Sequence, residues 1–500
     1  MKVGLLSPMP GFHKELFDIV DIFIPQVDRR DGSLEGADLR VIISQSEENS
    51  VRRCQAELSG ALNITSRNET TITGNALLVR RLHKRQLKTV LFDALTKATG
   101  KQPPWGSLTG IRPARLVLDA MGEGLPLDEA ASLIQNTFQI TDAKISLLKD
   151  IIRVQQGLPQ LSDKQIACYI GIPFCSSRCR YCSFISTVAG KGSLLTDYVQ
   201  ALKQEIAGTI ALMKDKGLTA RSVYLGGGTP TVLDEDLLAQ VLEAARPLFQ
   251  QADEVTVEAG RPDSITKEKL QLIHAAGVHR ISINPQTMHD KTLELVGRRH
   301  SVQQTLDAYQ LAREVGINNI NMDLIAGLPG ESLAMFDHTL NEVLKLEPEA
   351  VTVHTLSVKR SSDMHRFGDA LPEGRVAEDM VVLAREAVSA QGMQPYYIYR
   401  QKHMTGNLEN VGYALPGKAC LYNIDMMEDK ATVMAMGAGA ISKYIHSGGK
   451  HILRAPNVKD AAHYMERVDE MLDRKKALFE GKGRGVKPQQ DLDEELQDLD

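Results

Sequence analysis

No stretch of the 500-residue sequence approaches the ~18 uninterrupted apolar residues that a membrane-spanning helix needs, so no membrane span is expected. The opening MKVGLLSPMPGFHKEL lacks the apolar run of roughly 7–15 residues that marks a secretory signal, and Pro8 and Pro10 interrupt it. Charge of one sign is lacking too. With 58 basic and 63 acidic residues the net charge is −5, which supplies no whole-chain reason to expect nucleic acid or an anionic membrane as partner. The expectation is a cytoplasmic protein whose thiols stay reduced. Cysteine is sparse, at six residues, and a chain this long buries a large core without disulfides. Three of the six, Cys175, Cys179 and Cys182, nevertheless fall within eight residues; Cys54, Cys168 and Cys420 are scattered. In a reducing compartment such a cluster reads as a metal or redox site.

The length calls for two or three domains. Residues 1–100 read as a small α+β domain of unassigned role, with candidate strands at Ile19–Ile24 and Leu39–Ser44 and helical stretches at Glu48–Leu62 and Val79–Thr99. A helical linker over 101–160 opens with a loop, Trp105–Pro113 (WGSLTGIRP), that carries the only tryptophan. Over 161–360 short apolar strands alternate with amphipathic helices. The strands fall at Ile166–Ile172, Ser222–Leu225, Glu254–Glu258, Val278–Ile283, Ile320–Ile325 and Ala350–His354. Helical crossovers between them imply a parallel sheet buried on both faces. Six units are fewer than the eight of a closed barrel, which leaves an incomplete barrel or an open sheet, and in both the chemistry sits at the strand C-terminal ends. Residues 361–480 read as a C-terminal substrate or accessory region, and 481–500 as an acidic, disordered tail.

The three cysteines are spaced C-x3-C-x2-C in a loop that leaves the first of these strands. Such a loop can wrap three thiolates around one inorganic core, with Arg178 and Arg180 offsetting the negative charge. Structural zinc wants four protein ligands, commonly two C-x2-C pairs, and no second pair is present. A ferredoxin-type cluster also wants four cysteines. Three leave one iron open to a small molecule, unless Cys168 or Cys420 supplies the fourth.

The second strand ends in Gly226-Gly227-Gly228-Thr229-Pro230-Thr231, where three glycines let the backbone approach a ligand or simply turn into the next helix. Polar residues mark other strand ends: Glu258, Gln286, Arg298 in VGRRH, and Asp323 opening DLIAGLPGE. Singly each reads as a surface or capping residue; together they suit a ribose, an amino group and a carboxylate.

C-x3-C-x2-C followed by the aromatic Phe184 resembles the radical SAM superfamily, and YIGIPFC, GGGTPT, INPQ, GRRH and DLIAGLPGE together resemble its oxygen-independent coproporphyrinogen III oxidase group. That match spans Ile166–Ser357. WGSLTGIRP, GNLENVGY at Gly406–Tyr413 and MGAGAISK at Met436–Lys443 resemble one branch of the group, the coproporphyrinogen dehydrogenases called HemZ.

The resemblance implies an α/β fold, a partial (β/α)6 TIM-like barrel of parallel strands with a small N-terminal α+β domain and a C-terminal extension. It implies a [4Fe–4S] cluster on Cys175, Cys179 and Cys182, whose open iron binds exchangeable S-adenosylmethionine. Tyr169 would lie beside that cofactor and Phe184 near its adenine. Gly227, Gly228, Thr229, Glu258, Gln286, Arg298 and Asp323 would contact it, with Leu356 and Met436 as two further alignments, and Tyr169, Glu258 and Arg298 would serve catalysis. The implied reaction is oxidative decarboxylation of coproporphyrinogen III, with a reduced flavodoxin or ferredoxin as electron donor. Two departures stand out. Phe184 occupies the position of a fourth cysteine in the best characterised oxidases of the group, a cysteine that the haem-chaperone branch also lacks, and GNLENVGY replaces an HN-x-x-YW segment. Lys359, Arg360, Arg400 and Lys402 are candidates to meet substrate carboxylates.

Overall fold

The computed structural model describes residues 1–25, 27–72, 76–110, 112–182, 187–189, 194–358, 362–364, 372–401, 404–446 and 451–483. The chain divides into two compact units, Met1–Lys149 with Gly406–Leu408, and Asp150–Thr405 with Glu409–Pro488.

The first unit is built on β1 (Lys2–Leu6), α1 (His13–Phe23), β2 (Asp28–Asp31), β3 (Leu39–Glu48), β4 (Val51–Gly60), β5 (Ile64–Thr71) and α2 (Ala76–Thr99), with sheet order β2-β1-β3-β4-β5. Two expectations fail here. Ile19–Ile24 falls mostly within α1, because Leu16, Phe17, Ile19, Val20 and Phe23 recur at helical spacing on one buried face. Glu48–Leu62 is mainly strand β4, not helix. Asn49 and Ser50 both adopt left-handed backbone (φ 51° and 62°) and turn β3 into β4 as a two-residue hairpin loop. Arg52, Cys54, Ala56 and Leu58 then point inward with period two. Three helices follow, α3 (Pro113–Gly122), α4 (Leu127–Phe138) and α5 (Asp142–Gln156).

The second unit carries an 11-stranded sheet. Its parallel strands are β6 (Gln165–Ile172), β9 (Thr219–Gly227), β10 (Glu254–Val257), β11 (Arg280–Ser282), β12 (Ile320–Ala326) and β13 (Ala350–Thr355). Between β6 and β9, a two-strand bridge pairs β7 (Phe174–Cys175) with β8 (Thr187–Val188). The crossover helices include α6 (Leu194–Asp215), α7 (Glu235–Phe249), α8 (Lys267–Ala275), α9 (Asp290–Leu295), α10 (Val302–Val315) and α11 (Leu333–Leu344). Their starts are set locally: Asp234, Thr266, Ser301 and Ser332 each cap a first turn with a side-chain oxygen, and Gln304 completes a capping box with Ser301.

The spatial order β6-β9-β10-β11-β12-β13 follows chain order without reversal, as in a (β/α) barrel and unlike a doubly wound sheet. The barrel is partial. Beyond β13 lie β15 (Asn410–Ala414) and β14 (Gln394–Tyr399), both joined antiparallel and reached through α12 (Gly374–Ala390). Beyond β6 lies β16 (Val433–Met436), a seventh parallel strand not among the six expected, then β17 (Ile441–His446) and β18 (His451–Pro456).

Helix α13 (Leu421–Met427) stops the N-terminal ends of the parallel strands. Glu254, the first residue of β10, accepts from the Cys420 thiol at 3.2 Å and the Leu421 N–H at 2.8 Å. Arg280, the first residue of β11, donates to the Lys418 carbonyl at 2.9 Å, and Arg221 pairs with Asp425 at 3.3 Å. These buried charges are paired, as burial requires. Helices α14 (Ala461–Glu466) and α15 (Val468–Phe479) pack on α6, where Glu205 is fully buried. Glu205 pairs with Lys475 and accepts from Tyr464, Asn457 at 2.7 Å and the Gly437 N–H at 2.7 Å.

Candidate functional site

The C-terminal strand ends bring most of the predicted residues together. After β6 the chain forms the β7–β8 bridge, tied by the Thr187 N–H to Pro173 O and the Ala189 N–H to Cys175 O, each at 2.8 Å. Cys175 and Cys182 are half-buried and Cys179 is buried, with the Cys182 N–H donating to Cys179 O at 3.1 Å. The Arg180 N–H bonds Val296 O, which lays the loop against the segment after α9.

The glycines after β9 touch that loop. A Cβ on Gly228 would lie 2.4 Å from Phe174 O and 2.9 Å from the Cys175 Sγ, so only glycine fits. Gly227 is left-handed (φ 116°), and its N–H donates to Glu258 Oε2 at 3.3 Å. Thr229 Oγ1 lies 3.7 Å from Cys175 Sγ.

Two carboxyl groups near this cradle are shifted in opposite directions. Burial, reinforced by the negative charge of Asp323, pushes the Glu258 carboxyl up to about 8, and the Gly227 N–H only partly offsets this. Burial works against the Asp323 charge too, but His354, Asn321 and Thr352 outweigh it and hold Asp323 below the usual carboxylate range. His354 Nε2 is 3.6 Å from Asp323 Oδ2, and Asn321 Nδ2 is 2.7 Å from Oδ1.

Gln286 is held in left-handed backbone (φ 67°) because its N–H bonds Asp323 O and its carbonyl accepts from Ile325. Such strain in a non-glycine residue is kept where neighbours over-determine it, commonly at functional sites. Among the described residues, the buried Gln286 Oε1 and Asn284 Oδ1 have no hydrogen-bond partner. Buried acceptors left without partners are costly, and a bound ligand would satisfy them.

Arg298 is buried and mostly spent on the chain. It donates to Gly260 O at 3.0 Å, Asn284 O at 2.8 Å, Tyr181 Oη at 3.0 Å and His300 Nδ1 at 3.4 Å, which leaves one N–H on Nη1 for a ligand. Tyr169 stacks on Tyr224 and Tyr422 in the barrel interior, with centroids 6.4 and 6.2 Å apart. Met436 ends β16 opposite Ile170, and its carbonyl comes within 3.4 Å of the Cβ position of Gly171. Leu356 packs with Val296, Ile325 and Leu328 just past β13.

Phe184, Lys359, Arg360 and Lys402 lie outside the described residues. Arg400 is buried with Glu409 facing its charge, so it is no exposed anchor for a substrate carboxylate. Cys168 lies within β6, fully buried, with its sulfur 3.9 Å from Met213 of α6, and Cys420 bonds Glu254 at the opposite end of the strands. Neither joins the cysteine loop.

Sequence reasoning missed Asn284, Arg261, Asp263 and His354. All follow or end a parallel strand, so position alone could have flagged them. Arg261 forks onto Asp263 (3.0 and 3.2 Å) and donates to Ser177 O at 3.0 Å and Cys179 Sγ at 3.7 Å, while Ser176 Oγ donates to Asp263 at 2.8 Å.

Among the described residues no three or more His, Cys, Asp or Glu side chains are already gathered as a metal-ion cage. The donor set still fits an iron–sulfur cluster with a small-molecule ligand. Three thiols share one loop, a glycine cradle that a Cβ would fill lies against the first of them, and unpartnered acceptors sit alongside.

Fold and site define a radical SAM protein. The radical SAM superfamily model matches residues 169–343. The coproporphyrinogen III oxidase HemN from Escherichia coli, a radical SAM enzyme, superimposes with TM-score 0.51 over 62% of this chain and 70% of its own, at 23% identity, which establishes the shared fold. The oxygen-independent coproporphyrinogen-III oxidase-like protein HemZ of Bacillus subtilis is 37% identical over 483 residues, 93% of this chain and 94% of that protein. The haem chaperone HemW of the same organism is 30% identical over 60% of this chain and 76% of its own. The chain belongs to the radical SAM superfamily and, within it, to the HemZ branch of the oxygen-independent coproporphyrinogen III oxidase-like group. With that membership come a [4Fe–4S] cluster and S-adenosylmethionine. Among the described residues no helix is long and apolar enough to cross a membrane.

Proposed function

We propose that this protein is a cytoplasmic radical SAM oxidoreductase that converts two propionate side chains of coproporphyrinogen III to vinyl groups, giving protoporphyrinogen IX. The observation that carries the reading is the meeting, at one end of a partial barrel, of the cysteine loop, the glycine cradle and the Glu258–Asp323 pair. Cys175, Cys179 and Cys182 hold the cluster. When bound there, the cluster and S-adenosylmethionine would supply the radical chemistry for oxidative decarboxylation of a propionate.

The chain's own residues bind and orient. Glu258 and Asp323 accept from the amino group and ribose of S-adenosylmethionine, and Gln286 and Asn284 offer their unpartnered oxygens. Gly227 and Gly228 let the methionine end approach the backbone, with Thr229 beside it. Arg298 keeps the loops after β10 and β11 against Tyr181 of the cysteine loop and offers its last N–H to the ligand. Tyr169 walls the interior, and Leu356 and Met436 close the sides against water. A reduced flavodoxin or ferredoxin supplies electrons.

A second reading, a haem-binding delivery protein with the same cofactor site, is favoured by the likeness to HemW and by Phe184 in place of a fourth cysteine. One experiment separates the two. Anaerobically reconstituted protein is incubated with reductant, S-adenosylmethionine and coproporphyrinogen III. Formation of 5′-deoxyadenosine together with the doubly decarboxylated product supports the enzyme, whereas stoichiometric haem binding without product supports delivery.

A further inference from the structure

The segment after β10 carries a second function beside Glu258. Three residues further on, Arg261 is 3% exposed, and its guanidinium has two working edges. The Nε–Nη2 edge is taken up by Asp263 (3.0 and 3.2 Å), whose Oδ2 also accepts from Ser176 Oγ at 2.8 Å. The opposite nitrogen, Nη1, turns to the cysteine loop and donates to Ser177 O at 3.0 Å and to Cys179 Sγ at 3.7 Å. The cation's nearest donor to sulfur is thus a protein N–H, while the neutralising carboxylate sits on the far edge.

A charged N–H aimed at a cluster sulfur withdraws electron density from the iron–sulfur core and favours its reduced, more negative form. Burial leaves that interaction little screened by solvent. We propose that Arg261 is a positioning residue that raises the reduction potential of the cluster by donating to the Cys179 sulfur, while Asp263 and Ser176 fasten the same loop mechanically. The consequence is an easier first electron. The inference rests on the cluster that comes with the family and not on the substrate, so a failed decarboxylation assay leaves it standing.

The test uses the full chain, reconstituted anaerobically, as wild type, Arg261→Met, Arg261→Lys and Ser176→Ala. Iron and sulfide content establish loading, and an EPR-monitored potentiometric titration without S-adenosylmethionine or substrate reads the midpoint. In loaded Arg261→Met the ratio of reduced to oxidised cluster at a fixed potential falls about tenfold, a midpoint about 59 mV more negative. Arg261→Lys, which keeps a charge but loses the fork, falls between. Ser176→Ala leaves the midpoint in place. An unmoved midpoint in loaded Arg261→Met overturns the proposal, as does an equal shift in Ser176→Ala. Failure of both Arg261 variants to take up a cluster assigns Arg261 to loop assembly and overturns it as well.

Discussion

Replacing Glu258 with glutamine should make the protein more stable and less able to bind its cofactor. The Glu258 carboxyl is half-buried and pushed up to about 8 from an ordinary 4.5, by burial first and by Asp323 second. The folded chain therefore holds this proton more tightly than the unfolded chain does. Its favourable contribution is intact below about pH 4.5 and is lost as pH rises through 8. At about 1.4 kcal/mol per tenfold, and discounted for the partial solvation of the site, ionised Glu258 costs about 2–4 kcal/mol at pH 8.5. Glutamine never ionises. Calorimetry of cluster-free protein should then show Tm for Glu258→Gln exceeding wild type by roughly 3–6 °C at pH 8.5, with the gap shrinking toward pH 5. On cluster-loaded protein the same change removes a charged acceptor worth about 1.5–3 kcal/mol, so equilibrium dialysis should find S-adenosylmethionine bound about 10- to 150-fold more weakly. A glutamine variant that is less stable at pH 8.5, or that binds the cofactor as tightly as wild type, refutes the reasoning.

Four further substitutions test the frame around that site. Gly228→Ala forces a methyl group against Phe174 O and Cys175 Sγ and should cost about 1–3 kcal/mol, visible as reduced iron content after reconstitution at unchanged helical circular dichroism. Cys168→Ser and Cys420→Ser should leave iron and sulfide at wild-type levels, since one thiol lies within β6 and the other bonds Glu254; loss of the cluster in either would mean a different ligand set. Lys475→Met strands the buried Glu205 carboxylate and should lower stability by about 3–5 kcal/mol in thermal unfolding, with Glu205→Gln added to it restoring part of the loss.

The barrel was legible in the sequence because its strands are short apolar runs closed by helices with clear caps. Asp234, Ser301 and Ser332 each stand where a periodic helical pattern begins. The hairpin of the first unit was not. Residues 51–60 mix Arg, Gln, Glu and Ala, whose helix preference masked a period-two burial, and the Asn49–Ser50 turn was the better signal. At the site, glycines and carboxylates at strand ends could be read one by one. The Arg261–Asp263 fork and the Asp323–His354 pair could not, since each partnership depends on how neighbouring loops fold over one another. The seventh strand, β16, escaped because four residues, Val433–Met436, are too few for any pattern to declare itself.

The hub at Glu205 also sets an order of events during synthesis. Gly437 and Ala438 lie directly beside the start of the cysteine loop: Tyr198 donates to Gly171 O at 2.7 Å and accepts from the Ala438 N–H at 3.0 Å. Gly437 is in turn fixed by Glu205 and by Asn457, and among the described residues Glu205 finds its counter-charge in Lys475. The cysteines leave the ribosome some 300 residues before that lysine. Until Lys475 emerges, a bare carboxylate would have to be buried beneath the wall that completes the site. On that account metal loading should follow, not precede, emergence of Lys475. Released chains truncated before Lys475 should hold iron poorly, whereas chains truncated after Glu480 should hold it well.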